Sequence, residues 1–387
     1  MTMSTRPVGE TLDHPSPSKE AGESQLRADV RAFLAHRRDH HGLRPHCDSW
    51  MTSPSPEFSQ ALAEQGWIGM TWPEEYGGRG RPERERLVVV EELLAAGAPV
   101  AAHWFADRQV GPALLKLGTP AQRRLHLPAI ARGERFFAIG MSEPDTGSDL
   151  ASIRTRAGRA TGGWTLRGTK IWTSHAHLAH YMIALVRTSP PDPGRRHEGM
   201  SQFIVDLSAP GVTVHPIVTL DGGHHFNEVV LDDVAVPDDG LLGREGEGWA
   251  QVMAELAYER SGPERFMSTA PLLFALARRI GVPHPALGEL LAELRTLRRL
   301  SREVADALER GEAPSVRAAL VKDLGSRFEG RVVSTARALA PVEPDADSGD
   351  DYTRLLAEAV LHAPDATLRG GTNEILRGIV GRELVSR

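Results

Sequence analysis

Cysteine is all but missing from this chain. Cys47 is the only one in 387 residues, which excludes an internal disulfide and a thiolate metal cage and leads us to expect a reducing, cytoplasmic setting. Long apolar runs are missing too. No window approaches the ~20 unbroken apolar residues that cross a bilayer, so no membrane contact is expected. A basic excess is absent, since 45 Lys and Arg face 51 Asp and Glu for a formal charge of −6. Nucleic-acid binding requires clustered cations against phosphates and is therefore not expected. The first residues carry Glu10 and Asp13 and no apolar core, unlike a signal peptide. Dinucleotide turns are also lacking: no GxGxxG follows a strand-like run, no GxxxxGK[ST] occurs, and Gly243, Gly246 and Gly248 are too irregularly spaced to substitute.

What is present is an ordinary globular mixture, 41% hydrophobic and 25% charged, in a chain long enough for two or three domains. Residues 1–24 are rich in Pro, Ser, Thr, Gly and Glu without an apolar period and read as a flexible tail. From Leu26 a helical period begins: Val30, Phe33 and Leu34 share a face, and Phe58, Leu62 and Ile68 continue it. Pro82 opens a helix over Glu83–Ala96 with Leu87, Val90, Leu93 and Leu94 as its stripe. Thr119-Pro120 repeats the cap-then-proline entry. Near Phe136 the period changes. The segments Gly163–Ser174, Tyr181–Thr188, Met200–Leu207, Val212–Leu220 and Asn227–Pro237 are short, rich in Val, Ile and Thr, and bounded by turn residues. That pattern predicts an antiparallel barrel or sandwich rather than βαβ units. Helical period returns from Trp249, broken by an acidic, Pro-rich loop over Pro341–Asp351. The expectation is an α+β chain in three parts: a helical domain over 25–134, an antiparallel β-barrel over 135–238 and a helical, four-helix-bundle-like domain over 239–387.

Two stretches carry the chemistry. In Phe137-Ala-Ile-Gly-Met-Ser-Glu-Pro-Asp-Thr-Gly-Ser-Asp149 a strand runs into a loop bearing Ser142, Thr146 and Ser148. Hydroxyls and free N–H groups on such a loop suit a phosphate or the polar edge of a planar ring, though an ordinary solvated turn has the same composition. In Lys170-Ile-Trp-Thr-Ser174 a tryptophan is flanked by hydroxyls at a strand end, as a core residue would also be.

Taken together with Gly66-Trp-Ile-Gly-Met-Thr-Trp-Pro-Glu-Glu-Tyr-Gly-Gly78, Phe226-Asn-Glu-Val229 and Val236-Pro237, their order and spacing resemble the acyl-CoA dehydrogenase family over nearly the whole chain after the tail. Met141–Asp149 is similar to the family's TEPxxGSD signature, with Ser142 for the usual Thr, and Gly168–Ser174 to its GxKxWIT. The resemblance implies FAD as cofactor, held by Met141, Ser142, Trp172, Thr173 and Ser174, with Ser148 where CoA and the FAD diphosphate pass. Gly370-Gly-Thr-Asn-Glu374 opens the last helix, whose expected buried face is Ile375, Leu376, Ile379, Val380 and Leu384. Free N–H groups at a helix start suit an anion or a flavin oxygen. By the resemblance Thr372 and Glu374 contact FAD there, and Gly371 lies beside substrate.

The resemblance also exposes a departure. Many family members carry their catalytic glutamate just before the Gly-Thr of this last motif, where the present chain has Gly370. A glycine takes no proton. At about 100° per residue, Trp249, Val252, Leu256 and Phe266 form an apolar stripe if the helix survives Gly262-Pro263, and Glu259 falls inside it. A buried carboxylate is costly unless paired or used, and burial raises its basicity. An ion pair with Arg260 or Arg265 is the structural alternative. The Glu259-Arg260 step resembles the position at which isovaleryl-CoA and long-chain acyl-CoA dehydrogenases carry their base, so Glu259 is the expected catalytic base and Arg260 a substrate-binding or orienting residue.

The family's Arg-x-x-Phe-Gly and Gln-rich Gly-Gly segments, which reach a neighbour's FAD, have no counterpart near His284–Leu287 and Pro341–Asp351. A homo- or hetero-oligomer is expected, with an acyl-CoA or acyl-carrier thioester as substrate and electron-transfer flavoprotein or a similar acceptor as partner. Two rivals share the fold: a two-component flavin monooxygenase, and a non-catalytic partner subunit. His175, His177 and His180 spell HxHxxH without an HExxH helix or carboxylate set, so no metal is expected. His224-His225, in the turn before Phe226, is a candidate for contact with CoA or substrate.

Overall fold

The computed structural model describes residues 17–312 and 314–385, with the side chains of 17–20, 256–259, 261 and 384 outside the described set. The first helix, α1 (Pro17–His41), begins inside the stretch read as tail. Pro17 suits a first helical position, and the anchored face of Leu26, Val30 and Leu34 lets the helix propagate back through Lys19–Glu23. Two short helices follow, α2 (Ser49–Thr52) and α3 (Pro56–Glu64), then α4 (Glu83–Ala95) and α5 (Ala101–Phe105). A π-turn over Ala106–Val110 leads into α6 (Gly111–Leu117), and α7 (Pro120–Ala131) closes the helical run.

Local chemistry explains these boundaries. Ser55 Oγ accepts the Phe58 N–H at the start of α3, and Thr119 with Gln122 forms a reciprocal capping box at α7. Pro82 precedes α4 instead of lying inside it. The expected stripe of α4 is buried, and so are Val88, Val89, Glu91 and Glu92 on its other faces. A helix buried nearly all round must satisfy its carboxylates internally. Glu91 and Glu92 do so through Arg27 and Arg31 of α1, with Arg298 from a later helix.

The strands are β1 (Phe137–Gly140), β2 (Arg156–Ala160), β3 (Gly163–Lys170), β4 (Tyr181–Arg187), β5 (Met200–Asp206), β6 (Val212–Ile217), β7 (Phe226–Pro237) and β8 (Leu241–Leu242). They form one sheet in the order β6-β7-β3-β2-β4-β5-β8, with β1 alongside β4. Most pairs are antiparallel, but β1 and β2 each run parallel to β4, an exception to the wholly antiparallel pairing expected from the turn residues. Trp164, Phe203, Val229, Val234 and Val236 fill the inner face of the sheet.

Six further helices follow among the described residues: α8 (Gly248–Ser261), α9 (Ala270–Ile280), α10 (Pro285–Glu309), α11 (Ser315–Leu339), α12 (Asp351–His362) and α13 (Asn373–Val385). Helix α8 does not survive Gly262-Pro263. Gly262 is extended at φ −73°, ψ 160°, because a residue before proline is pushed out of the α region. Phe266 is therefore not on the α8 stripe; it is buried in the main core beyond the break. Val252 of α8 packs on Leu185 and Met200, which fixes this helix against the sheet. The expected loop is present between Leu339 and Asp351. On α13 only Leu376 of the expected apolar face is fully buried, while Ile379 and Val380 are half-buried and Ile375 is 43% exposed. Leu384 lies outside the described side chains. The helix docks on α11 through the Asn373–Leu376 edge and the Arg377–Asp323 pair at 3.0 Å, which leaves Ile375 facing outward.

Candidate active site

The first half of the site grows out of β1. The Met141–Asp149 loop is pinned by Glu143, whose carboxylate accepts the Arg154 and Thr155 N–H groups at 2.6 and 2.9 Å and the Lys170 ammonium at 2.8 Å. Lys170 also donates to the Met141 carbonyl at 3.1 Å. Burial lowers the Lys170 pKa to about 8 against the opposing pull of Glu143. For Glu143, burial alone would raise the pKa, but the Lys170 charge and the hydrogen bonds hold it below the ordinary range. The Ser142 carbonyl accepts the Ile171 N–H at 2.9 Å, so the two motifs read from the sequence meet directly.

Just past β3 the chain makes an unusual turn. Trp172 has φ +57° and is 53% exposed, with its ring edge-on to Phe226 at 5.6 Å. A bulky residue in the left-handed region is rare and marks a constrained position. Neighbouring contacts hold it there. Thr173 exchanges both backbone hydrogen bonds with Asn227, Ser174 Oγ reaches Met51 Sδ at 3.5 Å, and His175 Nε2 bonds the Met51 carbonyl at 2.8 Å. Thr173 Oγ1 is buried with no partner among the described residues.

The second half lies between α8 and the start of α13. Gly370 and Gly371 have φ +67° and +91°, which explains the use of two glycines in succession. Thr372 then caps α13, its Oγ1 accepting the Ile375 N–H at 3.3 Å, and Glu374 is exposed on the first turn. From α8, Arg260 donates Nε–H to the Gly370 carbonyl at 3.1 Å. The last turn of α8 and the glycine loop are thus in contact. The Glu259 side chain lies outside the described residues; its backbone sits in this same turn. Glu255, one turn earlier, pairs with Gln202 at 3.1 Å.

The two halves share one wall, the segment Asp48–Met51. On one side Met51 meets Ser174 and His175. On the other, Asp48 takes two bonds of 2.5 and 2.7 Å from Arg369, the residue before Gly370. Trp50 lies between Arg369 and Arg265, whose guanidinium carbons stand 4.7 and 5.0 Å from its ring centroid. Beneath Arg369 a cavity of about 20 Å³, lined by Cys47, Asp48, Glu329, His362 and Arg369, has room for one water. Burial drives the Glu329 pKa up to about 8.

The sequence-predicted residues are therefore distributed as follows. Met141 and Ser142 adjoin Ile171 and Lys170, Arg260 adjoins Gly370, and Ser148 stands exposed on its loop. Sequence reasoning missed Asp48, Arg369 and Glu329, which no motif flags, and the roles of Lys170 and Glu143, which lay inside the quoted motifs. The histidines of HxHxxH take separate partners: His175 bonds Met51, His177 faces Asn227 at 3.2 Å, and His180 accepts the Phe136 N–H at 3.1 Å. His224 stacks on His177 at 4.1 Å and shares Asn227.

Three domain families match this chain in order: acyl-CoA dehydrogenase N-terminal domain over residues 20–134, middle domain over 138–234 and C-terminal domain over 282–385. The chain belongs to the acyl-CoA dehydrogenase family. Among relatives, the acyl-CoA dehydrogenase IpdE1 of Mycobacterium tuberculosis is 34% identical over 85% of this chain and 86% of its own length. The acyl-CoA dehydrogenase FadE34 of the same organism is 33% identical over 89% of this chain. The chain spans only 48% of FadE34's length. Among solved structures, the Tcur3481-Tcur3483 steroid ACAD superposes with a TM-score of 0.80 at 29% identity, covering 97% of this chain and 99% of that one.

Proposed function

We propose that this chain is an FAD-dependent dehydrogenase that converts an acyl thioester, acyl-CoA or its carrier-protein equivalent, to the 2-enoyl thioester. The observation that carries the reading is the 3.1 Å bond from Arg260 to the Gly370 carbonyl. It sets the last turn of α8, which bears Glu259, against the loop where many family members place their base. Glu259 removes the α-proton, and Arg260 fixes the turn and, with Gly371 and Ser148, lines the path of the substrate. FAD, when bound, supplies the acceptor for the β-hydride.

The residues present fit FAD on three counts. Trp172 offers an exposed aromatic face, Thr173 Oγ1 is a buried hydroxyl without a partner among the described residues, and the Gly370–Thr372 loop that leads into α13 carries backbone N–H groups without a partner among the described residues. Met141, Ser142, Trp172, Thr173, Ser174, Thr372 and Glu374 would hold it. Assembly with a second, different chain is supported by the paired names of the steroid ACAD and by the 340–350 loop, which carries no glutamine or arginine. Electron-transfer flavoprotein or a similar acceptor would reoxidise the enzyme.

The test is anaerobic bleaching of the purified yellow protein by a panel of acyl-CoAs. Bleaching by at least one thioester, abolished in Glu259→Gln with FAD retained, is the expected result. Unchanged bleaching in that variant removes Glu259 as the base, and turnover that requires reduced flavin and O₂ removes the dehydrogenase altogether.

A further inference from the structure

We propose that Lys170 is a positioning residue that aims a backbone donor at the flavin and, balanced against Glu143, sets the flavin's reduction potential. The proposal rests on the FAD reading above.

The geometry starts with one peptide unit. Lys170 Nζ holds the Met141 carbonyl at 3.1 Å. In a planar trans peptide the N–H lies opposite the C=O, so the Ser142 N–H is turned away from Lys170. That N–H has no hydrogen-bond partner among the described residues, whereas its neighbours are occupied: the Ser142 carbonyl by Ile171, and the Glu143 N–H by the Thr146 carbonyl at 2.8 Å. A fixed, unoccupied donor on the loop expected to meet a ring edge is what a flavin oxygen or nitrogen requires.

The molecule invests heavily in that arrangement. Lys170 is 0% exposed, and an unpaired ammonium in such a place is expensive. Its stem passes beside Gly140, where an added Cβ would stand 2.5 Å from Met182 Sδ and 3.2 Å from Lys170 Cγ; glycine there leaves both side chains in place. Glu143, at 2.8 Å, is fastened by two further backbone N–H groups, so the pair cannot relax far when one charge is removed. A simple packing role would be met by a methionine or leucine. An ammonium pinned both to a carbonyl of the cofactor loop and to a carboxylate instead places a balanced charge pair behind the ring-binding edge.

Charge balance makes the proposal testable in two opposite directions. Glu143→Gln keeps the shape and leaves the ammonium uncompensated, which favours the reduced, more anionic flavin. Lys170→Met leaves the carboxylate uncompensated and disfavours it. The measurement is the flavin reduction potential, by dye equilibration on each holoprotein, together with FAD affinity by fluorescence. We expect the ratio of reduced- to oxidised-FAD affinity to rise at least tenfold in Glu143→Gln and to fall at least tenfold in Lys170→Met. Each corresponds to about 30 mV for a two-electron couple. The double variant Lys170→Met/Glu143→Gln returns toward the wild-type potential while retaining weakened FAD binding, because the Met141 carbonyl has lost its anchor. Equal potentials in wild type and Glu143→Gln overturn the proposal even if Lys170→Met fails to fold. A wild-type protein that binds no FAD overturns instead the flavin reading on which it rests.

Discussion

Replacing Arg369 by Met tests whether the shared wall of the site is held electrostatically. In the wild type, two hydrogen bonds of 2.5 and 2.7 Å join Arg369 to Asp48, whose side chain is only 3% exposed. Burial would raise the Asp48 pKa, but the Arg369 charge and bonds outweigh it and keep Asp48 ionised below the ordinary range. Removing the guanidinium strands that carboxylate beside Glu329 and Asp365, at an expected cost of ~3–5 kcal/mol for an uncompensated buried charge. The lost stack on Trp50 adds roughly 1 kcal/mol. Replacing both partners, as Asp48→Asn/Arg369→Met, removes the stranded charge and should cost only about 1–2 kcal/mol. Urea unfolding followed by tryptophan fluorescence measures both, with Trp50 itself as a reporter. A single variant that loses less than 1 kcal/mol, or a double variant as unstable as the single, would show that the pair contributes no more than an exposed ion pair and would refute the reasoning.

Glu329 gives a pH signature. Its folded pKa, raised by burial to about 8 from an ordinary 4.5, means the folded state holds a proton the unfolded state releases. That stability is complete below pH 4.5 and is lost as pH rises through 8, on the order of a few kcal/mol in all. Glu329→Gln should flatten the decline between pH 5 and 8.5; parallel curves for the two proteins would contradict the assignment. Trp172→Ala should change stability by less than about 0.5 kcal/mol, since the ring is half exposed, yet weaken FAD binding at least tenfold, measured by fluorescence titration. A large loss of stability with unchanged affinity would make Trp172 a structural residue only.

Much of this architecture was readable before the structure. Short Val-, Ile- and Thr-rich segments between turn residues marked β3 to β7 to within a few residues, because a strand's length and punctuation are local properties. The parallel neighbours of β4 were not readable, since nothing local to Phe137–Gly140 or Arg156 encodes which strand it will lie beside. Glu91 and Glu92 lie outside the apolar stripe read for α4, yet both are buried. They are buried because Arg27, Arg31 and Arg298 come from 61 to 207 residues away to meet them. Ile375 failed in the opposite sense: its spacing matched a buried face, but α11 covers only one side of α13. For the site, the motifs marked the Met141–Asp149 and Lys170–Ser174 stretches, which meet through the bond from the Ile171 N–H to the Ser142 carbonyl. The Asp48–Arg369 clasp that joins their surroundings lay beyond any motif.

That clasp also dictates an order of events during synthesis. Asp48 and Arg369 are 321 residues apart. At ribosomal rates of about 5–20 residues per second, Asp48 waits roughly 15–65 s for its partner. Through that interval its carboxylate must stay hydrated, so the Asp48–Met51 wall cannot seat fully until Arg369 emerges. The nascent chain can complete its sheet early, but the wall that joins the two halves of the candidate site closes only after Arg369 has been made.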